Sequence, residues 1–247
     1  NVLCPPEQPD RLAWIRRLLR EAVQAAGDLG VELLILRIDV DDVDALAAAQ
    51  DAGFVVHETT MTWLLDSTRA AEVPPHRPTV TCDVVEGDVT GVLDAALVDR
   101  FARHTARWDL SHLRADPRLP PEAVMRFYAA MVANIVAGDW CDRMYVARHE
   151  GRIIGITSEV TDRLVLDASG TDVRNAEWFV VMEEGLQRGQ AMATTAARNP
   201  HPGGSVHSWE TQARNLATIR CTENTRISRA VRASYTLHAW PRWTGDA

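Results

Sequence analysis

Residues 211–240, TQARNLATIRCTENTRISRAVRASYTLHAW, contain the pattern that decides the fold. Together with the residues just before them, they predict a strand over 206–211, a helix over 215–224 and a last strand that ends near Trp240. Asn215 lies where this helix begins, and asparagine is a favoured N-cap residue. The chain is therefore expected to close with a strand, a helix and a strand.

Between residue 79 and this stretch, the sequence predicts a mixture of helices and strands. Pro120 and Pro121 begin a helix that runs to about residue 137, because proline fits the first turn of a helix. Glu150 and Gly151 are typical of a hairpin turn between two strands. The remaining predictions are a helix over 93–104, a short helix from Gln190, and strands over 79–85, 144–148, 153–161, 164–168 and 176–182.

The first 65 residues predict the order helix, strand, helix, strand. The helices are predicted over 10–26 and 42–52, and the strands over 31–38 and 54–65. Three prolines within 70–78 disfavour both helix and central strand. We therefore predict an α/β protein with a mixed sheet and helices on both faces, divided into an N-terminal domain (1–69), a linker (70–78) and a C-terminal domain (79–247).

The composition argues against several classes of function and partner. The 34 acidic and 26 basic residues give a formal net charge of -8, which opposes binding to nucleic-acid phosphates. Membrane-helix and signal-peptide patterns are not found, so we expect a cytoplasmic protein with no membrane partner. The four cysteines lie far apart, so neither a disulfide framework nor a metal site is predicted. Trp240 and Trp243 near the C-terminus favour a homodimer.

Several stretches resemble the GNAT N-acetyltransferases. Residues 211–240 are similar to the end of these enzymes, where a strand closing in Thr-Gln leads to an Asn, a helix and a last strand. The stretch AEWFVVMEEGLQRGQA, 176–191, looks like the family's central strand and pyrophosphate loop. Residues 29–66 look like the second half of a GNAT unit, and a partial copy before a whole one is the layout of the dTDP-fucosamine acetyltransferases. The resemblance implies a GNAT fold preceded by a smaller, partial GNAT-like α/β domain.

The same resemblance implies an acyl-CoA-dependent N-acyltransferase in specialised metabolism, acting on a small-molecule amine such as a nucleotide-linked amino sugar. Acetyl-CoA would lie between two splayed strands, with its pyrophosphate on the free N–H groups of a helix start. The matching residues are Val180, Val181, Met182, Gln187, Arg188, Gly189, Gln190, Ala191 and Asn215. For residues 187–191 the alternative is an ordinary glycine turn before a helix. For Asn215 the alternative is a helix N-cap alone.

Acyl transfer requires an unprotonated amine and a proton donor for the departing thiolate. Where relatives place a Tyr as donor, this chain has Thr222, whose hydroxyl lacks the necessary acidity. Glu223, His207 and Tyr235 are candidate replacements, and His207 has the intrinsic pKa of a base. Glu177, at the start of the central strand, is a candidate proton relay. The alternative is that His207 is a structural histidine and Glu177 a solvated strand end.

Aromatic and basic residues are candidates for contact with the acceptor. Arg107, Trp108 and Arg114 belong to a stretch that resembles the family's acceptor side, and a nucleotide-linked sugar would need such basic groups. Trp178 and Trp209 would form the walls of an apolar ligand site, or else belong to the core.

Three departures from the family pattern fall in the expected cofactor site. Leu186 replaces an Arg or Gln before the loop glycine, prolines and glycines within 199–204 shorten the following helix, and Thr222 replaces the Tyr. These degenerate motifs leave a second function open. In it, a GNAT scaffold has lost coenzyme A use and binds a small-molecule metabolite, or cyclises, rearranges or decarboxylates it.

Overall fold

The computed structural model describes residues 10–72, 80–107, 111–182, 205–224 and 227–241. The helices of these residues are α1 (Arg11–Asp28), α2 (Val43–Asp51), a 3-10 helix (Ser67–Glu72), α3 (Ala95–Ala106), α4 (His112–Ala115), α5 (Pro121–Val136), α6 (Arg163–Ser169) and α7 (Leu216–Asn224). The strands are β1 (Leu34–Asp39), β2 (Val55–Asp66), β3 (Thr81–Glu86), β4 (Arg143–His149), β5 (Arg152–Thr161), β6 (Val173–Val181), β7 (Val206–Gln212) and β8 (Ser228–Ala239). In this part of the chain, none of the helices has the length and apolar character that a membrane span requires.

The eight described strands belong to one sheet, in the order β1-β8-β2-β7-β6-β5-β4-β3. Neighbouring strands pair antiparallel, except β6 and β7, which run parallel. The last strand, β8, lies between β1 and β2, the two strands of the N-terminal segment. The segments on either side of the predicted linker therefore share one continuous sheet, whereas the division into two domains at 70–78 stays a prediction.

Helices cover both faces of the sheet, as the sequence predicts. On one face, Phe101 of α3 packs with Trp178 of β6 in an apolar cluster that α5 completes. On the other face, Ala49 of α2 packs with Leu237 of β8, and α1 adds partly buried residues to this cluster. Burial of each large apolar side chain stabilises the fold by about 1.5–3 kcal/mol. The mixed sheet between two helical layers confirms the predicted α/β class.

A side-chain cap and a glycine define the ends of α2. The carboxylate of Asp42 caps the helix by accepting the backbone N–H of Ala45 at 3.0 Å. Arg11 of α1 donates to the same carboxylate at 2.8 and 2.6 Å, which joins the two helices. Gly53, at φ 86°, turns the chain from α2 into β2, in a conformation that only glycine adopts at low cost.

The prediction of a strand over 164–168 is wrong, because these residues lie in α6. Asp162 caps the helix by accepting the N–H of Val165 at 3.1 Å, and Gly170 ends it in the left-handed conformation at φ 68°. A short apolar run does not by itself distinguish a strand from a helix, and here the two end signals select the helix. The helix predicted from Gln190 lies outside the described residues.

Candidate functional site

The two parallel strands at the centre of the sheet separate partway along their length. Residues pair from Val173 with Val206 to Ala176 with Trp209, and the ladder ends there. Beyond this point β6 remains paired with β5 as far as Val181, while β7 remains paired with β2 as far as Gln212. The strands therefore diverge, each held by its outer neighbour, and leave a wedge that we call the β6–β7 opening.

A β-bulge lies at the start of this opening. On β5, Ser158 pairs with Trp178 and the next residue, Glu159, pairs with Ala176, so that Glu177 is an extra residue without a partner position on β5. A bulge bends its strand and increases the local twist. The bulge at Glu177 thus explains why β6 leaves β7 immediately after Ala176.

The edge of β6 in the opening presents backbone hydrogen-bonding groups. The N–H of Met182 donates to the carbonyl of Ile154 at 2.8 Å, so the backbone of Met182 faces β5. Because backbone groups alternate along a strand, Val180 also faces β5, whereas Val181 and Phe179 direct their N–H and C=O groups into the opening. Of the three predicted strand residues, Val181 is therefore the one whose backbone can pair with a bound chain.

Two carboxylates lie at the start of the opening. Glu177 follows the last paired residue of β6, and Glu210 follows the last paired residue of β7. Arg37 of β1 forms an ion pair with Glu210. Desolvation and the nearby negative charge of Glu210 raise the pKa of Glu177, while Arg37 opposes this shift. A carboxylate with a raised pKa is a better proton acceptor, which suits Glu177 to the relay role that the sequence predicts.

Glu58 of β2 is a buried carboxyl that the sequence reasoning missed. Thr60 pairs with Gln212 and Thr62 with Glu210, so Glu58 lies on the same sheet face as Gln212 and Glu210, just beyond the end of β7. The backbone N–H of His112 and the side chain of Gln212 lie near enough to favour its ionised form, while its Oε2 atom has no hydrogen-bond partner among the described residues. Burial raises the pKa of Glu58 to about 7, although these two groups and the charges of Arg214 and Arg37 oppose the shift. The available signal was an acidic residue inside a predicted strand.

The raised pKa of Glu58 predicts a pH-dependent contribution to stability. The folded state binds this proton more tightly than the unfolded chain, so the free energy of unfolding falls as pH rises from about 4.5 through about 7. Relative to Glu58→Gln, we expect the wild type to lose about 3 kcal/mol over that interval, at 1.36 kcal/mol per pKa unit. Urea unfolding of both proteins at a series of pH values measures the difference, and a difference that does not vary with pH contradicts the assignment.

Asp116, the residue after α4, joins this helix to the end of β8. Its buried carboxylate accepts hydrogen bonds from His238 (2.8 Å), Trp240 (3.0 Å) and Arg118 (3.0 Å). These hydrogen bonds lower the pKa of Asp116 even though burial acts in the opposite direction. His238 uses its Nδ1–H on Asp116, so its Nε2 accepts the Nδ1–H of His112 at 2.8 Å. The network fixes the tautomers of both imidazoles.

The network around Asp116 contains three residues of types that can bind a metal ion. The nearest ligand atoms of His57, Asp116 and His238 all lie within 4.8 Å of one another. However, Trp240 and Arg118 already donate to Asp116, and the Arg118 guanidinium lies 3.5 Å from Nε2 of His57. A fixed positive charge at this position repels a cation. We therefore interpret the group as an ion-paired hydrogen-bond network.

His207 lies inside the paired part of β6 and β7, opposite Arg174, and not in the opening. Its ring is fully buried, with Nδ1 3.1 Å from Glu159 and Nε2 2.9 Å from the hydroxyl of Ser205. These contacts tie the start of β7 to β5. The structure thus gives His207 partners of its own, and its role as a catalytic base stays a prediction.

The other predicted catalytic residues are distributed over two regions. Thr222 is buried and Glu223 exposed on α7. Tyr235 packs in the apolar cluster formed with α1 and α2, on the side of the sheet away from Glu58. Asn215 caps α7 by accepting the N–H of Thr218 at 3.2 Å, which matches the N-cap interpretation. The structure does not bring these side chains together with Glu177.

The residues predicted to contact the acceptor substrate also lie in different parts of the structure. Trp178 is buried and donates its ring N–H to Thr105 at 3.1 Å, while Trp209 packs against Leu65 and Ile227. Arg107 at the end of α3 and Arg114 on α4 are exposed. Trp108, Gln187, Arg188, Gly189, Gln190, Ala191 and Trp243 lie outside the described residues.

Comparison with solved structures identifies proteins of the same architecture. The chain is similar to a tandem GNAT protein from the clavulanic acid biosynthesis pathway, with a TM-score of 0.61, 15% identity, and coverage of 98% of this chain and 74% of that one. For a GCN5-related N-acetyltransferase from Sphaerobacter thermophilus, the TM-score is 0.53 at 13% identity, with coverage of 95% of this chain and 69% of that one. For a functionally unknown conserved protein from Staphylococcus epidermidis, the TM-score is 0.61 at 11% identity, with coverage of 93% of this chain and 81% of that one. Comparison with family models and with curated protein sequences finds no significant match.

These comparisons agree with the architecture of the described residues. The similarity to the two GNAT-type structures covers 98% and 95% of this chain, and so includes its mixed sheet and the helices on both faces of that sheet. The identities are low, so the similarity concerns the fold. The protein therefore has the GNAT fold.

Proposed function

We propose that the protein is an N-acyltransferase that moves an acyl group, in the simplest case acetyl, from coenzyme A to the amine of a small molecule. The observation that carries this proposal is the β6–β7 opening, where the backbone of Phe179 and Val181 is directed at the space between two separated strands. An extended thioester arm that carries amide groups fits such an edge, because it can pair with the strand backbone.

Coenzyme A would supply the activated acyl group as a thioester. The N–H and C=O groups of Phe179 and Val181 would hold the arm and orient the carbonyl. Glu177, beside the opening, takes a proton from the amine, so that a C–N bond can form while the C–S bond breaks. The negative charge of Glu210 favours the proton on Glu177. The proton donor to the departing thiolate stays open, with Thr222, Glu223, His207 and Tyr235 as the predicted candidates.

For the acceptor, we propose a small amine of the amino-sugar class. The two carboxylates at the opening, Glu177 and Glu210, suit an incoming amine, which they attract in its cationic form. A nucleotide-linked sugar additionally needs basic groups for its phosphates, and the exposed Arg107 and Arg114 are available for that purpose. Specialised metabolism is the proposed setting.

Amine-dependent thiol release tests the proposed function. The protein is incubated with acetyl-CoA and a panel of benzylamine, spermidine, glucosamine and a dTDP-linked amino sugar, and free thiol is followed together with the mass of the amine. We expect thiol release that requires an amine and produces the N-acetylated amine. If no amine in the panel stimulates thiol release, the alternative of a scaffold that no longer uses coenzyme A is favoured.

A further inference from the structure

Arg37 of β1 lies on the face of the sheet that carries Glu58. Arg37 pairs with Thr236 of β8, and Thr236 pairs with Glu58 of β2, so these three side chains share one face. The neighbours of Arg37 along the strand, Leu36 and Ile38, belong to the apolar cluster formed with α1 and α2 on the opposite face. The Arg37 side chain therefore points away from α1 and α2.

The side chain of Arg37 extends across two strands to the start of the β6–β7 opening. In the sheet, β8 and β2 lie between β1 and β7, yet Arg37 forms an ion pair with Glu210 of β7. Glu210 follows the last residue of β7 that pairs with β6, and Glu177 follows its counterpart on β6. The positive charge of Arg37 accordingly acts on Glu177 and opposes the rise of its pKa. The N-terminal segment thus contributes a positive charge to the opening.

Arg37 has more hydrogen-bond donors than its contact with Glu210 uses. A guanidinium carries five N–H donors in a planar fork. Within the described residues, Nη1 donates to Glu210, whereas Nε and Nη2 make no hydrogen bond. The side chains of Arg37 and Glu210 are 49% and 39% exposed, so a ligand can reach both. Glu210 therefore restrains the guanidinium, while Nε and Nη2 remain available for a second anionic group.

We propose that Arg37 binds an anionic group, a carboxylate or a phosphate, on the acceptor amine. The inference rests on the proposed function, and it narrows the acceptor to amines that also carry a negative charge. Glu177 and Glu210 attract the cationic form of the amine, while Arg37 beside them attracts the anion, so the site complements a molecule that carries both charges. Arg37 then determines specificity, since it binds the substrate at a group other than the reacting amine.

A different role for Arg37 is to hold Glu210 in place and to tune Glu177. Loss of the guanidinium would then change acetyl transfer to every amine by the same factor, because Glu177 acts on the amine in each case. Binding of an anionic group instead predicts a loss for anionic amines beyond the loss for neutral ones. The ratio of kcat/KM for an anionic amine to kcat/KM for its neutral analogue separates the two roles.

Two matched pairs of amines measure this ratio at about pH 8, where carboxylates and phosphate esters are ionised. Para-aminomethylbenzoate and benzylamine differ by a carboxylate, and glucosamine 6-phosphate and glucosamine differ by a phosphate. We expect the wild type to prefer the anionic member of at least one pair. Arg37→Gln should reduce that preference about ten- to a hundredfold, the usual effect of losing hydrogen bonds to a charged group.

Two further variants serve as controls for Arg37→Gln. Arg37→Lys keeps the positive charge without the planar fork, so it should retain part of the preference for the anionic amine. Arg16→Gln should leave the preference unchanged. Arg16 is the matched control because its side chain is 41% exposed and is ion-paired with Asp51, between α1 and α2.

Two outcomes overturn the inference and leave the proposed function intact. In the first, the wild type acetylates amines but prefers neither anionic member of the two pairs. In the second, a preference for an anionic amine persists unchanged in Arg37→Gln, so the anion is bound elsewhere. The pair whose ratio falls in Arg37→Gln identifies the anion as a carboxylate or a phosphate. If the wild type transfers no acetyl group to any amine, the proposed function itself fails, and this inference fails with it.

Discussion

Asp116→Ala is expected to destabilise the protein by about 3–5 kcal/mol, the usual cost of removing one partner from a buried ion-paired network. The substitution removes the acceptor for His238, Trp240 and Arg118. The N–H groups of these three residues then remain inside the protein without a carboxylate to accept their hydrogen bonds. Because hydrogen bonding lowers the pKa of Asp116, its contribution is present at neutral pH and is lost as pH falls through the folded-state pKa.

Chemical denaturation of Asp116→Ala and Asp88→Ala measures this effect against a matched control. The Asp116 carboxylate accepts the backbone N–H of Arg118 at 3.0 Å, and Asp88 accepts that of Thr90 at 2.9 Å in the same way, but Asp88 is exposed. Exposed carboxylates contribute little to stability, so Asp88→Ala should cost far less. An equal decrease in the free energy of unfolding in the two variants would contradict the role assigned to the Asp116 network.

Glu177→Gln is expected to lower kcat for acetyl transfer by about 10²–10⁴-fold, the range of a general acid–base group. The amide keeps the size of the side chain but cannot take a proton from the amine. Binding of acetyl-CoA should be unchanged, because the opening is formed by the backbone. Steady-state kinetics measure this effect, with Glu122→Gln as the control variant, because Glu122 is an exposed carboxylate on α5.

Glu210→Gln supplies a second readout for the role of Glu177. The charge of Glu210 contributes to the raised pKa of Glu177, so its removal should lower that pKa and move the acidic limb of the rate profile to lower pH. A purely structural role for Glu177 would leave the acidic limb in place. An acidic limb that persists unchanged in Glu177→Gln would exclude this residue as the titrating base.

The sequence predicts the fold because its periodicity and its end signals agree for the long elements. Asp42 and Gly53 bracket α2, and Pro121 lies in the first turn of α5, close to the predicted limits. The helix α4 is only four residues long, too short for a periodic pattern, and it was not predicted. In α6, Val165 and its apolar neighbours favoured a strand, whereas Asp162 and Gly170 produce a helix.

The site is less predictable because it depends on pairing between distant segments. Glu177 is identifiable as a polar residue at the start of the central strand, but its bulge is visible only in the register with β5. Glu58 and Gln212 lie on one face of the sheet because β2 pairs with β7, an arrangement that no local pattern encodes. Asp116 and His238, separated by 122 residues, likewise meet only through the folded sheet.

Calorimetric titration with acetyl-CoA, carried out on the wild type and on Val181→Pro, tests the β6–β7 opening most directly. Proline at this position removes the N–H that faces the opening and leaves the backbone groups that pair with β5. We predict micromolar binding by the wild type and binding weakened by about tenfold or more in a folded Val181→Pro variant, since a hydrogen bond and the fit of the arm are lost. No detectable heat with the wild type at millimolar acetyl-CoA, or equal affinity in both proteins, would contradict the assignment of this opening to an acyl thioester.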